Sequence, residues 1–194
     1  VPMFHANAWG TPYAAAMAGA RLVLPGPHLD GQSVYELMRD AKVTFPQGVP
    51  TVWLTLVPYL DAHPDLDPRA LGVKSIGIGG AAVPRAMLER FENQFGAQVV
   101  QGWGMTETSP VSCQSDADTP LQRRVSTVGK VQPHLEVKIV DPATGEVVAP
   151  GVSGELCTRG YPVMHGHWGD EARPREAIAA DARMHTGALA PTRL

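Results

Sequence analysis

At 194 residues, with 44% hydrophobic and 18% charged side chains, the chain can bury a sizeable core and is too apolar to remain disordered. A net charge of −3, with no basic cluster beyond Arg123-Arg124, leaves no electrostatic footprint for nucleic acid, and no apolar run approaches membrane-spanning length. Cys113 and Cys157 are widely spaced and read as free thiols of a reducing compartment; with no signal-peptide pattern, the expectation is a cytoplasmic protein without a transmembrane segment.

Alanine-rich Tyr13–Gly19 predicts a short, tightly packed helix, and Arg21–Leu24 a buried strand, with Pro25-Gly26-Pro27 ending the run. Ser33 can cap a helix over Val34–Ala41, with Glu36 completing a capping box and Val34, Leu37, Met38 and Ala41 on one face. Val43–Phe45 reads as a strand, Pro50 as the first turn of a helix carrying Val52, Leu56, Tyr59 and Leu60, and His63–Arg69 as a surface loop. Val73–Ile78 has the apolar texture of a buried strand and ends in Gly79-Gly80; Pro84 opens a helix through Phe95, and Val99-Val100 begins another strand. Alternation at this spacing suits parallel βαβ units. After Ser126 the texture changes: Leu135–Val140, Glu146–Val148 and Gly154–Thr158 alternate around an Asp141–Gly145 turn, the pattern of antiparallel hairpins. The expected fold class is therefore α/β: a mixed, mostly parallel sheet with flanking helices over residues 1–125, then a small antiparallel β subdomain over 126–194.

Ligands of parallel sheets bind beyond the carboxyl ends of strands. Both Gly79–Pro84 and Gly102–Pro110 fall there. In the second loop, Gly102 and Gly104 let the backbone turn and another molecule approach. Trp103 offers an apolar face, Thr106, Thr108 and Ser109 offer hydroxyls, and Glu107 a hard oxygen ligand, which is the donor set that a nucleotide and its metal need. A polar loop closing a strand would carry similar residues, so this composition alone leaves both readings open. Of the histidines, His28, His63, His134, His165, His167 and His185 show no metal-ligand spacing with Cys or carboxylates, and no metal beyond nucleotide-borne Mg2+ is expected.

Trp103-Gly-Met-Thr-Glu-Thr-Ser-Pro110 resembles the adenine and magnesium loop of the adenylate-forming superfamily, whose pattern is aromatic-Gly-x-Thr-Glu. Pro2-Met-Phe-His-Ala-Asn-Ala-Trp-Gly10 is similar to the substrate-pocket motif of its fatty acyl-CoA ligases, Gly79-Gly-Ala-Ala-Val-Pro84 to their adenine-side loop, and Gly154-Glu-Leu-Cys-Thr-Arg-Gly160 to a later strand motif. The resemblance implies part of the adenylate-forming ligase fold and a two-step reaction. A medium- or long-chain fatty acid attacks the α-phosphate of ATP to give acyl-AMP and pyrophosphate, and the thiol of coenzyme A then displaces AMP. Both partners of the first step are anions, so a metal and fixed donors must neutralise charge growing on phosphorus oxygens.

By the same resemblance Glu107 is the Mg2+ ligand, Thr106 donates to the α-phosphate, and Trp103 stacks on adenine. Gly79, Gly80, Ala81, Ala82, Gly102, Gly104 and Met105 would line the nucleotide through backbone groups and lack of bulk. His5 would face the acyl carboxylate and phosphate as a catalytic group, and Trp9, with Gly80, would wall the acyl pocket. For His5 a satisfied structural role and for Trp9 and Trp103 plain core packing stay open, and for Gly79–Ala82 a tight strand-to-helix turn serves as well.

The chain also departs from the family. The phosphate loop is expected before residue 1, and the hinge and small C-terminal lid domain with the adenylating lysine after residue 194. Ala188, in Met184-His-Thr-Gly-Ala188, stands where the family has the Asp that holds the AMP ribose, and Asp181-Ala182-Arg183 replaces an Asp-Gly-aromatic run. Losing such charge-assisted hydrogen bonds costs roughly 1.5–3 kcal/mol each. The expectation is a central fragment of an acyl-CoA synthetase that is inactive alone; a homodimer of the full-length enzyme is left open. The alternative is a catalytically inactive remnant acting at most as a nucleotide- or protein-binding module.

Overall fold

The computed structural model describes residues 1–116, 118–169, 178–179 and 181–191. Two compact units are present: one of Val1–Gly104 with Cys113–Lys130, the other of Met105–Ser112 with the residues from Val131 onward.

In the first unit, α1 (Ala6–Trp9) is a single turn and α2 spans Thr11–Met17. α2 is not tightly packed: Tyr13 and Met17 point outward. Arg21–Leu24 is not a strand; Leu22 and Leu24 are exposed, and no strand among the described residues pairs with it. Without a ladder or a buried face, its apolar composition does not make it a strand.

α3 (Gly31–Asp40) begins earlier than expected because Asp30, not Ser33, is the cap. Asp30 accepts from the Ser33 N–H at 2.9 Å and from the Ser33 hydroxyl at 2.7 Å, satisfying a first-turn donor. Glu36 makes no capping box and instead accepts from Gln32 one turn earlier. Val34, Tyr35 and Met38 form the buried face.

β1 is only Gln47–Gly48. The predicted strand at Val43–Phe45 is displaced, although the carbonyls of Thr44 and Pro46 do accept from Lys74 and Gly77. Pro46 has no N–H to return, so a regular ladder starts only beyond it. α4 (Pro50–Ala62) opens on Pro50 and buries Trp53, Leu56 and Leu60. Pro58 is tolerated inside it because Pro58 and Leu54 lie on the exposed side, where water can satisfy the carbonyl left without its helical donor.

β2 (Ser75–Gly79), α5 (Arg85–Phe95) and β3 (Gln98–Trp103) form the predicted parallel βαβ unit, with Ile76 opposite Val99 and Gly79 opposite Gly102. The larger sheet has the order β1-β2-β3-β4-β5, where β4 is Cys113–Gln114 and β5 Lys130–Val131; α6 (Leu121–Arg124) lies between them in sequence. Met87, Leu88, Phe91 and Phe95 of α5 pack with Leu56, Ile76, Ile78 and Val99 in one core. Trp53 meets Phe91 edge-on at 5.9 Å and donates its indole N–H to Gly48 O at 3.2 Å, so burial leaves no orphan donor.

The second unit is a three-stranded antiparallel sheet, β6 (Leu135–Val140), β7 (Ser153–Gly160) and β8 (Met184–Pro191), in that order. The Asp141 side chain accepts from Ala143 N–H at 2.7 Å and shapes the predicted turn, after which Val147 bridges back to Val140. Ile139, Val140, Leu156, Cys157 and Met184 supply its buried apolar surface.

Candidate functional site

In the first unit the parallel register sets the carboxyl ends of β2 and β3 side by side, so the Gly79–Ala82 and Gly102–Gly104 loops leave the sheet as neighbours. Glycine is required here. A Cβ on Gly79 would lie 3.0 Å from Gly102 O and 3.2 Å from the Trp9 ring, and Gly80 has φ +82° with Trp9 and Val49 close by. Ala81 and Ala82 follow, exposed and without bulk.

Trp9 reaches this edge through an unusual backbone. Ala6, Asn7, Ala8 and Trp9 have φ of 46°, 53°, 48° and 57°, so α1 is wound left-handed. For L-residues that conformation costs on the order of 1–2 kcal/mol each. Nothing in the residue types announced it. The turn is closed by Gly10 N–H to Asn7 O at 3.0 Å and anchored by buried Ala8. His5 stands just before it, exposed, with its N–H bonded to Pro2 O. Trp103 is half-buried at the end of β3, paired with Cys113 of β4. Trp9, Gly79, Gly80 and Gly102 are thus brought together.

In the second unit, Thr106–Thr108 forms a 3-10 turn. Thr108 is its anchor: buried, its hydroxyl accepts from Met105 N–H at 3.1 Å and from the Ser112 hydroxyl at 2.9 Å. This leaves Thr106 exposed and Glu107 half-buried, with Glu107 O taking the Met164 N–H at 2.9 Å. Among the described residues no cation pairs with the Glu107 carboxylate. A lone hard oxygen donor of this kind suits Mg2+, which is typically held by one or two carboxylates plus substrate phosphates.

β8 carries the Thr186-Gly187-Ala188 segment. Thr186 donates its hydroxyl to Leu156 O at 2.7 Å and accepts from Ala188 N–H at 3.1 Å, while Gly187 N–H donates to Glu155 Oε1 at 2.9 Å. Beside it lies a cluster that sequence spacing did not reveal: the donor atoms of Glu155, Cys157 and His185 all lie within 4.8 Å of one another. His185 Nδ1 is 2.7 Å from Glu155 Oε2 and 3.5 Å from Cys157 Sγ. Burial alone would raise the Glu155 carboxyl, but the His185 and Gly187 hydrogen bonds outweigh it and hold the group below its usual range. Burial, aided by the Glu155 charge, pushes the Cys157 thiol up. The available signal was weak: Glu155 and Cys157 alternate on one strand, whereas His185 arrives only through the β7–β8 register.

Residues 1–168 match the family of AMP-binding enzymes. The chain is 38% identical over 199 residues to a long-chain-fatty-acid–CoA ligase from Thermus thermophilus, covering 98% of this chain and 36% of that protein. It is 38% identical over 180 residues to a medium-chain-fatty-acid–CoA ligase from Ectopseudomonas oleovorans, covering 87% of this chain and 32% of the relative. The fold matches apo MatB from Rhodopseudomonas palustris with a TM-score of 0.84 at 23% identity, over 98% of this chain and 36% of that one. It also matches a long-chain-fatty-acid-CoA ligase from Archaeoglobus fulgidus with a TM-score of 0.79 at 22% identity, over 97% and 39% of the two chains. The adenylate-forming fold, a mostly parallel sheet with flanking helices and a small antiparallel sheet, is therefore present, and this chain belongs to the AMP-binding enzyme family.

Proposed function

We propose that the chain is the central part of an ATP-dependent acyl-CoA synthetase that activates a medium- or long-chain fatty acid as acyl-AMP and passes it to coenzyme A. The observation that supports this most is the seating of Trp9 against the glycine edge where β2 and β3 end. Gly79 leaves room for the aromatic ring, Gly80 takes a φ of +82°, and a left-handed turn of non-glycine residues carries the ring to this edge. Strain held at a ligand-facing strand end is more readily explained by an acyl-binding wall than by packing.

In this reading Trp9 and Gly80 wall the acyl pocket and His5 approaches the reacting carboxylate. Gly79–Ala82 and Gly102–Met105 border the nucleotide, with Trp103 against adenine. Thr106 donates to the α-phosphate, and Glu107 would hold Mg2+, which supplies positive charge for the phosphate oxygens. Fatty-acid-dependent exchange of pyrophosphate into ATP by the parent protein tests the proposal. Exchange with aliphatic acids and not with benzoates supports it; exchange with no aliphatic acid overturns the substrate class.

A specific observation favours a second reading, in which these 194 residues at most bind nucleotide or a protein: Ala188 offers no acceptor for the ribose hydroxyls. Acyl-AMP formation by the parent protein separates the two, and calorimetry of this chain with ATP and Mg2+ tests the anchor: micromolar binding would show that nucleotide is held without an acceptor at Ala188.

A further inference from the structure

We propose that Glu155, Cys157 and His185 form a three-ligand site for a borderline divalent transition ion of the Zn2+ class, separate from the nucleotide's Mg2+. Glu155 and Cys157 alternate along β7 and so project from the same face, and His185 of β8 is the register partner of Cys157. A register shift lies between Glu155 and Cys157, and the one imidazole lies close to both.

The donor set is one sulfur, one nitrogen and one oxygen. Thiolate with imidazole favours Zn2+-like ions and disfavours Mg2+ and Ca2+. Bonds of about 2.0–2.3 Å around a tetrahedral centre put ligand atoms about 3.3–3.7 Å apart. The Cys157–His185 separation of 3.5 Å already fits, and the His185–Glu155 contact of 2.7 Å needs to open by less than about 1 Å.

Cys157 is fully buried, whereas the His185 side chain is 37% exposed, so the cluster has a sealed floor and an accessible side. Three protein ligands with one open side correspond to a site whose fourth position goes to water. On binding, the Cys157 thiol releases its proton to solvent, His185 coordinates through Nδ1 as the Nε2–H tautomer, and Glu155 exchanges its hydrogen bond to His185 for the ion. Lys138 is the register partner of Cys157 on β6 and lies 3.9 Å from Asp181. The ion would cross-link β7 to β8 immediately before Thr186-Gly187-Ala188. None of this depends on the acyl-CoA reading.

Titration of the 194-residue chain with Co2+ and Zn2+ tests the site. The expected result is one equivalent of Co2+ with a thiolate-to-cobalt charge-transfer band in the near ultraviolet, displaced by one equivalent of Zn2+ and untouched by excess Mg2+. Cys157→Ser should abolish the band and His185→Gln should weaken binding at least tenfold, while Cys113→Ser changes neither. No band in the unaltered chain, or the same band in Cys157→Ser, overturns the proposal. If Cys157→Ser does not fold, the partly exposed His185→Gln decides: unchanged affinity overturns the site, and a tenfold loss supports it.

Discussion

Arg124 and Glu92 form a largely buried ion pair, with Arg124 Nη1 2.5 Å from Glu92 Oε1 and the Arg124 side chain 8% exposed. The guanidinium also donates to Thr119 O at 3.0 Å and Val99 O at 3.1 Å, and Glu92 accepts the Val99 N–H at 3.0 Å. The pair thus ties α5, the start of β3 and α6 together, beneath the strand that ends in Trp103. Removing one partner strands the other charge away from water, which costs about 3–5 kcal/mol. Arg124→Ala should lower stability by that order in urea unfolding. Arg124→Met, which keeps packing but still strands Glu92, should be only partly milder. A loss under about 1 kcal/mol for Arg124→Ala would mean that water already reaches the pair.

Gly79 and Trp9 make a second coupled pair. A methyl at position 79 meets the fixed carbonyl of Gly102 at 3.0 Å and the Trp9 ring at 3.2 Å, so the ring has to shift. Gly79→Ala should destabilise by about 1–3 kcal/mol. Trp9→Ala combined with it should cost less than the sum of the single changes by at least about 0.5 kcal/mol, since the ring clash is then gone. Strict additivity would show that the two do not touch in solution.

Glu136 gives a pH prediction. Its carboxylate accepts from Arg159 at 2.7 and 2.8 Å and from Arg183 at 2.7 Å, and these bonds hold it below the usual glutamate value of 4.5. A depressed folded-state value means that the contribution is present above pH 4.5 and is lost as pH falls through the folded value. Glu136→Gln should therefore be less stable than the unaltered chain at neutral pH, with the gap closing below pH 4.5 in thermal melts. A gap that does not change with pH would assign the effect to packing.

Cys113 lies 3% exposed in the core and burial pushes its thiol up to about 11. Thiolate is the reactive form, so Cys113 should not react with a thiol reagent at neutral pH until the chain is unfolded. Fast reaction of Cys113 in the native chain would place its thiol at the surface.

The strand-helix-strand segment from Val73 to Val100 was legible because its signals are local: an apolar run, a glycine pair, a proline at the helix start and a second apolar run. The adjacency of the two glycine loops followed from it, since consecutive parallel strands end on the same side. Other features were decided by geometry that residue types do not encode. Asp30 outcompeted Ser33 as a cap because the helix began at Gly31. Pro46 removed a donor and moved β1 toward its C-terminal side. The left-handed turn at Ala6–Trp9 carries no glycine to announce it. His185 meets Cys157 only across a register spanning residues 157 to 185, which no short-range pattern reports.

The segment around Ala188 yields a gain-of-function prediction. Its backbone is set by Thr186, Leu156 and Glu155, through bonds of 2.7–3.1 Å that use no atom of the Ala188 side chain. A carboxylate can therefore be added at this position without rewiring the turn. If the segment faces the ribose of AMP, Ala188→Asp supplies an acceptor for one or both hydroxyls, each worth roughly 1.5–3 kcal/mol. At about 1.4 kcal/mol per tenfold, AMP should bind at least about ten- to a hundredfold more tightly. Isothermal calorimetry with AMP on the two chains reads this directly, and unchanged affinity in a folded Ala188→Asp chain would remove the segment from the nucleotide site.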